Sequence, residues 1–240
     1  MAIDTPKGEV RQFDDFLGST LNADIWVATV STSGTAAITD VEIDGTVQLD
    51  TDATDGDAGQ LAGNLNWRVQ DGALRMEARV KFSVVTTIRV FIGFNDQTSE
   101  TDIIPITRSG TTWTTTASTA IGFSFDTDAT NDYFTAMWVD DDSDSTESIA
   151  NLEYAGLAPI ADTYYTYIVE LQDQGSSNQV RADLTVIDNK GRIYTKTFAS
   201  TIDRDAVLTP YVGHENATGA VHETTIDYIE TTKSRAAGID

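Results

Sequence analysis

The stretch that decides the fold is residues 71–94, DGALRMEARVKFSVVTTIRVFIGF. From Leu74 to Phe82, apolar residues alternate with charged residues. Only a β-strand, whose successive side chains point to opposite faces, separates these two sets, so the pattern predicts a half-buried antiparallel strand. Residues 88–94 are apolar at nearly every position, as expected for a strand covered on both faces. Residues 84–87 are short enough to be the turn between these strands, and we expect the pair to form the middle of a sheet.

Similar strand-like runs follow one another along the chain, and no stretch has the period of an amphipathic helix. Turn sequences such as Asp44-Gly45 and Asp71-Gly72 separate them. Roughly a dozen short strands predict an all-β fold, an antiparallel sandwich or barrel. We expect one domain at residues 13–232, an N-terminal arm at residues 1–12 and a flexible C-terminal tail at residues 233–240. The predicted strands are residues 25–30, 36–43, 46–49, 74–84, 88–94, 121–125, 133–139, 164–171, 180–187, 192–198, 207–212 and 224–231.

The chain is strongly acidic. It has 15 Lys and Arg against 38 Asp and Glu, and a formal net charge of -23 over 240 residues. Such a surface repels phosphate backbones and anionic lipids, so we expect neither a nucleic-acid partner nor a membrane partner. Cysteine is absent, which excludes disulfides and thiol chemistry. The N-terminal sequence lacks the apolar core of a signal peptide, which predicts synthesis in the cytoplasm without Sec export.

Four short motifs occur in a familiar order: FDDFLG at residues 13–18, LNADIW at 21–26, EARVKF at 77–82 and IDYI at 226–229. Their order resembles the concanavalin A-like lectin/glucanase superfamily, which includes laminin G-like modules and the family 16 glycoside hydrolases. The resemblance covers most of the chain and implies a two-sheet, concanavalin A-like jelly roll. One fold carries many functions, so it implies a function only where site residues also match.

The catalytic motif of that superfamily is incomplete in this chain. Family 16 hydrolases carry Glu-x-Asp-x-x-Glu, because a retaining mechanism needs two carboxyl groups about 5–5.5 Å apart. The corresponding stretch here is Glu100-Thr101-Asp102-Ile103-Ile104-Pro105, with proline in place of the second glutamate. We therefore predict that the protein is not an enzyme.

Aspartates cluster in loops that could hold a cation. The candidate ligands, in two loops that share the sequence Asp-Thr-Asp-Ala-Thr, are Asp50, Asp52, Asp55, Asp57, Asp126 and Asp128. Calcium takes 6–8 oxygen ligands, so Ca²⁺ is the candidate ion, although the order of an EF-hand loop is absent. The alternative is that these loops are solvated turns, which an acidic chain is expected to have. No other cofactor is predicted.

Two tryptophans lie in polar contexts. Trp67 and Trp113 are candidates for stacking on sugar rings or for anchoring an interface. Trp113 lies in the Thr-rich stretch 108–119, which is predicted to be an exposed hairpin or a mobile loop, with its indole in solvent. The two histidines, His214 and His222, are expected in surface loops.

Two functions are compatible with these observations. The first is a virion structural protein: a capsid decoration (cement) protein on the outer capsid surface, bound to the major capsid protein lattice. It would be made in the host cytoplasm and form a homo-oligomer, for which we expect a trimer. The acidic charge suits the outside of a capsid, away from packed DNA. The alternative is a carbohydrate-binding module, either a lectin or a protein that binds a host receptor, with the aspartate loops and Trp67 or Trp113 as its site.

Overall fold

The computed structural model describes residues 8–31, 33–39, 45–64, 67–98, 104–145, 147–175 and 180–234. This part of the chain is almost entirely β-structure, with one 3₁₀ turn (Val69–Asp71) and one short helix, α1 (Ile149–Leu152). Neither helical segment is long and apolar enough to cross a membrane. The strands are β1 (Glu9–Asp14), β2 (Trp26–Val30), β3 (Thr35–Thr39), β4 (Thr46–Asp50), β5 (Ala58–Gly63), β6 (Leu74–Phe82), β7 (Ile88–Asn95), β8 (Ile106–Ser109), β9 (Thr112–Thr115), β10 (Ala120–Asp126), β11 (Thr135–Asp140), β12 (Ser143–Asp144), β13 (Tyr165–Asp173), β14 (Val180–Ile187), β15 (Ile193–Ser200), β16 (Thr209–Asn216) and β17 (Glu223–Ser234).

These strands form two large antiparallel sheets that pack face to face, which confirms the predicted all-β, two-sheet jelly-roll sandwich. The eight-stranded sheet has the order β15-β14-β13-β6-β17-β4-β3, with β1 also paired to β17. The seven-stranded sheet has the order β12-β11-β10-β7-β16-β5-β2. Strands β8 and β9 form a separate two-stranded hairpin.

The two strands of the fold-deciding stretch lie in the middle of different sheets. Strand β6 pairs with β13 and β17, whereas β7 pairs with β10 and β16. The expectation of one shared sheet is therefore wrong, and the turn between the strands carries the chain across the sandwich. The physical reason is that the apolar face of β6 is buried against the facing sheet, to which β7 belongs.

The core has two parts. The larger lies between the sheets and includes the inward side chains of β6 and β7. A smaller apolar cluster lies on the outer face of the seven-stranded sheet, under the β8–β9 hairpin, and includes Phe91, Met137 and Tyr211. This second cluster, which we call the hairpin cluster, explains why β7 is apolar on both faces, as its sequence predicted.

Two predicted domain boundaries fall inside strands. Strand β1 begins at Glu9, within the predicted arm, and pairs with β17 from Glu9↔Ser234 to Asp14↔Ile229. Residues 9–12 and 233–234 are therefore part of the eight-stranded sheet, because each supplies the other's backbone hydrogen bonds. Of the remaining residues of the predicted arm and tail, Gly8 is described as a turn, and 1–7 and 235–240 lie outside the described residues.

Candidate functional site

Four charged residues cross the outer face of the seven-stranded sheet. Asp126, Arg89 and Glu215 are cross-strand neighbours on β10, β7 and β16. The Arg89 guanidinium forms ion pairs with Glu215 and, at 2.6 Å, with Oδ2 of Asp128. Its Nε lies 3.8 Å from Oδ2 of Asp126. We call Arg89, Asp126, Asp128 and Glu215 the charged row.

Two carboxylates of the charged row are withdrawn from water. The side chains of Asp126 and Glu215 are 1% and 3% exposed. Burial raises the pKa of Asp126 to about 6, even though main-chain N–H groups of Arg108 and Asp128 donate to it at 2.6 and 2.9 Å. Burial likewise raises the pKa of Glu215, and the pair with Arg89 opposes this shift. These carboxylates are held by protein donors and are not presented to solvent.

Arg108 of β8 anchors the hairpin to the sheet. Its Nη2 donates to Oε1 of Glu153 at 2.8 Å, and the two side chains are 2% and 9% exposed. Glu153 Oε2 also accepts from Nδ2 of Asn131 at 3.2 Å. Because the main-chain N–H of Arg108 donates to Asp126, one residue joins the hairpin to two parts of the sandwich.

Trp113 of β9 lies directly across the hairpin from Arg108. The guanidinium carbon of Arg108 is 5.3 Å from the ring centroid, a cation–π distance. The indole packs against the hairpin cluster and is half-buried, whereas the side chains of Asp128 and Asn131 are exposed. The prediction of a hairpin is confirmed, but Trp113 does not stand free in solvent. We call Arg108, Trp113, Asp128, Asn131 and Glu153 the hairpin site.

Trp67 does not belong to this site. It is 2% exposed and lies in the main core. Its backbone pairs with Leu208 through hydrogen bonds of 2.7 and 2.8 Å, which fixes the indole inward. The prediction that Trp67 stacks on a sugar ring is therefore wrong. Its neighbours in the sequence are polar and suggested exposure, but its own side chain is buried.

The first aspartate loop connects β4 to β5 and is held by local hydrogen bonds. Asp50 accepts from Thr35 Oγ1 and Gln48 Nε2, both at 2.9 Å, and Asp52 accepts from the N–H of Thr54 at 2.8 Å. The predicted ligands in this loop differ in exposure: Asp55 is exposed, Asp52 is half-buried and Asp57 is buried. A hydrogen bond with the Asp57 side chain lowers the pKa of Asp52.

These aspartates do not assemble the oxygen cage that calcium needs. In the described ranges, no group of three or more acidic or histidine side chains could hold a metal ion. Asp126 and Asp128 are near one another, but the Arg89 guanidinium supplies the positive charge there. The residues present therefore do not fit the predicted calcium ion.

The two histidines are buried, so their predicted place in surface loops is wrong. His214 of β16 is 0% exposed, and its Nδ1 lies 2.8 Å from Thr224 Oγ1. His222 is also 0% exposed, and its Nε2 lies 2.5 Å from the carbonyl oxygen of Thr87. Burial, together with the nearby His222, lowers the pKa of His214 to about 3. Both imidazoles are packing groups: His214 joins β16 to β17, and His222 joins the loop before β17 to the turn between β6 and β7.

Sequence reasoning missed Arg89 and Glu215 of the charged row and the Arg108–Glu153 pair of the hairpin site. Arg89 and Glu215 are lone charges in or at the end of strands that are otherwise largely apolar. A lone charge on a strand covered on both faces needs a partner, and that signal could have identified the charged row. Arg108 and Glu153 are 45 positions apart in sequence, and no local pattern connects them. Residues 99–103, which include Glu100 and Asp102 of the incomplete glucanase motif, lie outside the described residues.

The chain has the fold of concanavalin A-like lectins. No protein-family model matches its sequence, and no curated protein matches it. A protein of unknown function from Shewanella oneidensis has a similar structure, with a TM-score of 0.61, 14% identity, and coverage of 100% of this chain and 92% of that chain. Peanut lectin is similar with a TM-score of 0.60, 11% identity, and coverage of 94% and 97%.

A third similar structure comes from work on endo-acting O-glycanases of the human gut microbiota. Its TM-score is 0.56, with 9% identity and coverage of 92% of this chain and 97% of that chain. At these identities the likeness shows the fold alone. Lectins and a structure from a study of glycanases both have this fold. The function must therefore be inferred from the residues of the site.

Proposed function

We propose that the protein binds carbohydrate at the hairpin site. The observation that carries the proposal is the half-buried indole of Trp113, which is held against Arg108 and the hairpin cluster. The buried partner of Arg108, Glu153, also binds the exposed Asn131. A sugar ring presents C–H groups on its faces and hydroxyl groups at its rim. It is therefore bound well by an aromatic ring with hydrogen-bonding groups alongside. The likeness to peanut lectin supports this proposal at the level of the fold.

The charge at the site favours neutral sugars or amino sugars. The charged row and the hairpin site together hold four carboxyl groups, on Asp126, Asp128, Glu153 and Glu215, against two guanidinium groups. The chain as a whole carries a net charge of -23. Acidic glycans are repelled by the carboxyl groups near the site and by the net charge of the whole chain. We therefore expect sialylated or sulfated sugars to bind poorly.

A glycan array that contains neutral, amino and acidic sugars tests the proposal. Trp113→Ala removes the aromatic surface, and we expect binding at least ~30-fold weaker, the loss typical of a central anchor residue. Phe13→Ala is the matched control, because Phe13 is 47% exposed and lies on β1 of the other sheet. The control should bind as the wild type does. A wild-type protein that binds no sugar, or a Trp113→Ala variant with full affinity, would contradict the proposal.

The charged row next to the hairpin site favours binding without hydrolysis. A glycosidase needs two carboxyl groups that reach the substrate, yet Asp126 and Glu215 are nearly inaccessible and pair with Arg89. We expect no release of reducing ends from a panel of β-glucans. Release that disappears in Glu215→Gln would show instead that the charged row is catalytic.

Decoration of a capsid is our second proposal, and the net charge of -23 supports it. An acidic protein is soluble on an outer virion surface and is repelled from packed DNA inside. Co-sedimentation with shells of the major capsid protein tests this role. A protein that stays in the supernatant at all ratios does not decorate those shells.

A further inference from the structure

Strand β15 forms an open edge of the eight-stranded sheet. Among the described residues its ladder partner is β14, and the register runs without interruption from Val180↔Ser200 to Ile187↔Ile193. Ile193, Thr195, Thr197 and Ala199 are exposed, and Ile193 is 67% exposed. An edge of this kind presents N–H and C=O groups that another strand can pair with.

The hydrogen-bond pattern shows which backbone groups face outward. Where the β14–β15 hairpin begins, the N–H of Asp188 donates to the carbonyl of Arg192 at 3.0 Å. Hydrogen-bonded pairs alternate along an antiparallel ladder, so residues 194, 196 and 198 direct their backbone groups toward β14. The N–H and C=O groups of Ile193, Thr195, Thr197 and Ala199 consequently point to the open side.

This edge has only one of the features that normally prevent strand addition, a single lysine. Residues 193–200 (IYTKTFAS) contain no proline, and the only charge is on Lys196. The Nζ of Lys196 donates to the carbonyl oxygen of Asn151 at 2.7 Å, so this charge is engaged at α1. The other edge strands of the large sheets in the described part of the chain, β1, β2, β3 and β12, have six, five, five and two residues, whereas β15 has eight.

We propose that β15 pairs antiparallel with β15 of a second copy of this chain. The net charge of -23 makes copies repel one another over most of their surface, but the outward residues of β15 are uncharged. On the adjacent strand, Asp183 is paired with Arg181 at 3.2 Å. The open edge is therefore a place where two copies approach at little electrostatic cost.

The proposed register centres on Thr197. Thr197 then faces Thr197 of the second copy, and Thr195 faces Ala199 of the second copy, so outward backbone groups meet in hydrogen-bonded pairs. A register centred on Lys196 would place two ammonium groups opposite each other and is disfavoured. The two-fold axis joins the eight-stranded sheets into one continuous sheet and closes at two copies, not at the trimer expected from the sequence.

Light scattering over a dilution series tests this interface. We expect the wild type to be a dimer that dissociates on dilution. Thr195→Pro removes an outward N–H in each copy without touching the ladder to β14, and should weaken association at least ~10-fold. Thr195→Val keeps the N–H and loses only the hydroxyl, which lies 2.8 Å from Thr185 Oγ1, so it should dimerise as the wild type does.

A second variant guards against local misfolding in the first. Thr197→Glu places like charges across the two-fold axis and next to Asp183, to which the Thr197 hydroxyl donates, so its association should weaken at low salt and recover at high salt. A wild type that is monomeric at every concentration would overturn the proposal. So would a trimer, or a Thr195→Pro variant that dimerises with unchanged affinity.

Discussion

Replacing Glu153 with glutamine leaves a buried guanidinium without its counter-charge. Arg108 and Glu153 meet at 2.8 Å, and their side chains are only 2% and 9% exposed. Removing one partner of a buried ion pair costs about 3–5 kcal/mol, because the remaining charge stays out of water. Small domains have about 5–15 kcal/mol of stability in total, so Glu153→Gln should remove a large share of it.

Urea unfolding followed by tryptophan fluorescence measures this loss. Glu230→Gln is the matched control: Glu230 pairs with Arg11 at 2.6 Å, but these side chains are 21% and 46% exposed. An exposed pair contributes roughly 0–1 kcal/mol, so the control should be nearly as stable as the wild type. The double variant Arg108→Met/Glu153→Leu removes both charges and should recover most of the stability.

Equal costs for Glu153→Gln and Glu230→Gln would refute the reasoning. The Arg108–Glu153 pair would then not be buried in solution, and the β8–β9 hairpin would not be anchored as described. A double variant as unstable as Glu153→Gln would show that shape, and not charge burial, determines the loss.

Three further outcomes follow from the titrating groups and the aspartate loops. The pKa of Asp126 is about 6 in the folded protein and ordinarily 3.8, so the free energy of unfolding should fall by about 3 kcal/mol as the pH rises from 3.8 to 6. Urea unfolding of Asp126→Asn should not show this pH dependence. The effect of His214 has the opposite sign, because its pKa is about 3 in the folded protein and ordinarily 6.5. The free energy of unfolding should fall by up to about 5 kcal/mol as the pH drops from 6.5 to 3, and it should fall by less in His214→Gln. The melting temperature should be the same in EDTA and in Ca²⁺, whereas a rise with Ca²⁺ would reveal a cation site.

The sequence predicted strands where side-chain alternation was strong. Strand β6 (Leu74–Phe82) alternates between buried and half-buried residues at every position, and its predicted first residue, Leu74, is the observed one. Strand β5 (Ala58–Gly63, AGQLAG) was missed, because its small residues give no contrast between faces although all of them are buried. The sequence also did not predict that the chain crosses from one sheet to the other after β6. A short turn has the same sequence features whether it joins strands of one sheet or of two.

The candidate site was predicted only in part. Asp128 and Trp113 were identified from sequence, and the structure brings both to the hairpin site. Trp67 was misread because a polar context suggests exposure, whereas its backbone pairing with Leu208 turns it inward. The Arg108–Glu153 pair depends on long-range topology, which residue patterns do not encode.

The β8–β9 hairpin is a two-stranded unit of its own that shares no backbone ladder with either large sheet. Main-chain hydrogen bonds join Gly110 to Asp128 and Thr130, and the side chains of Arg108, Trp113 and the hairpin cluster also attach the hairpin to the sandwich. The residues of this turn other than Gly110 can therefore be changed without disturbing the ladders of the two large sheets. Changes at these positions are therefore the way to redesign the preference of the proposed carbohydrate site, with the Arg108–Glu153 pair kept in place.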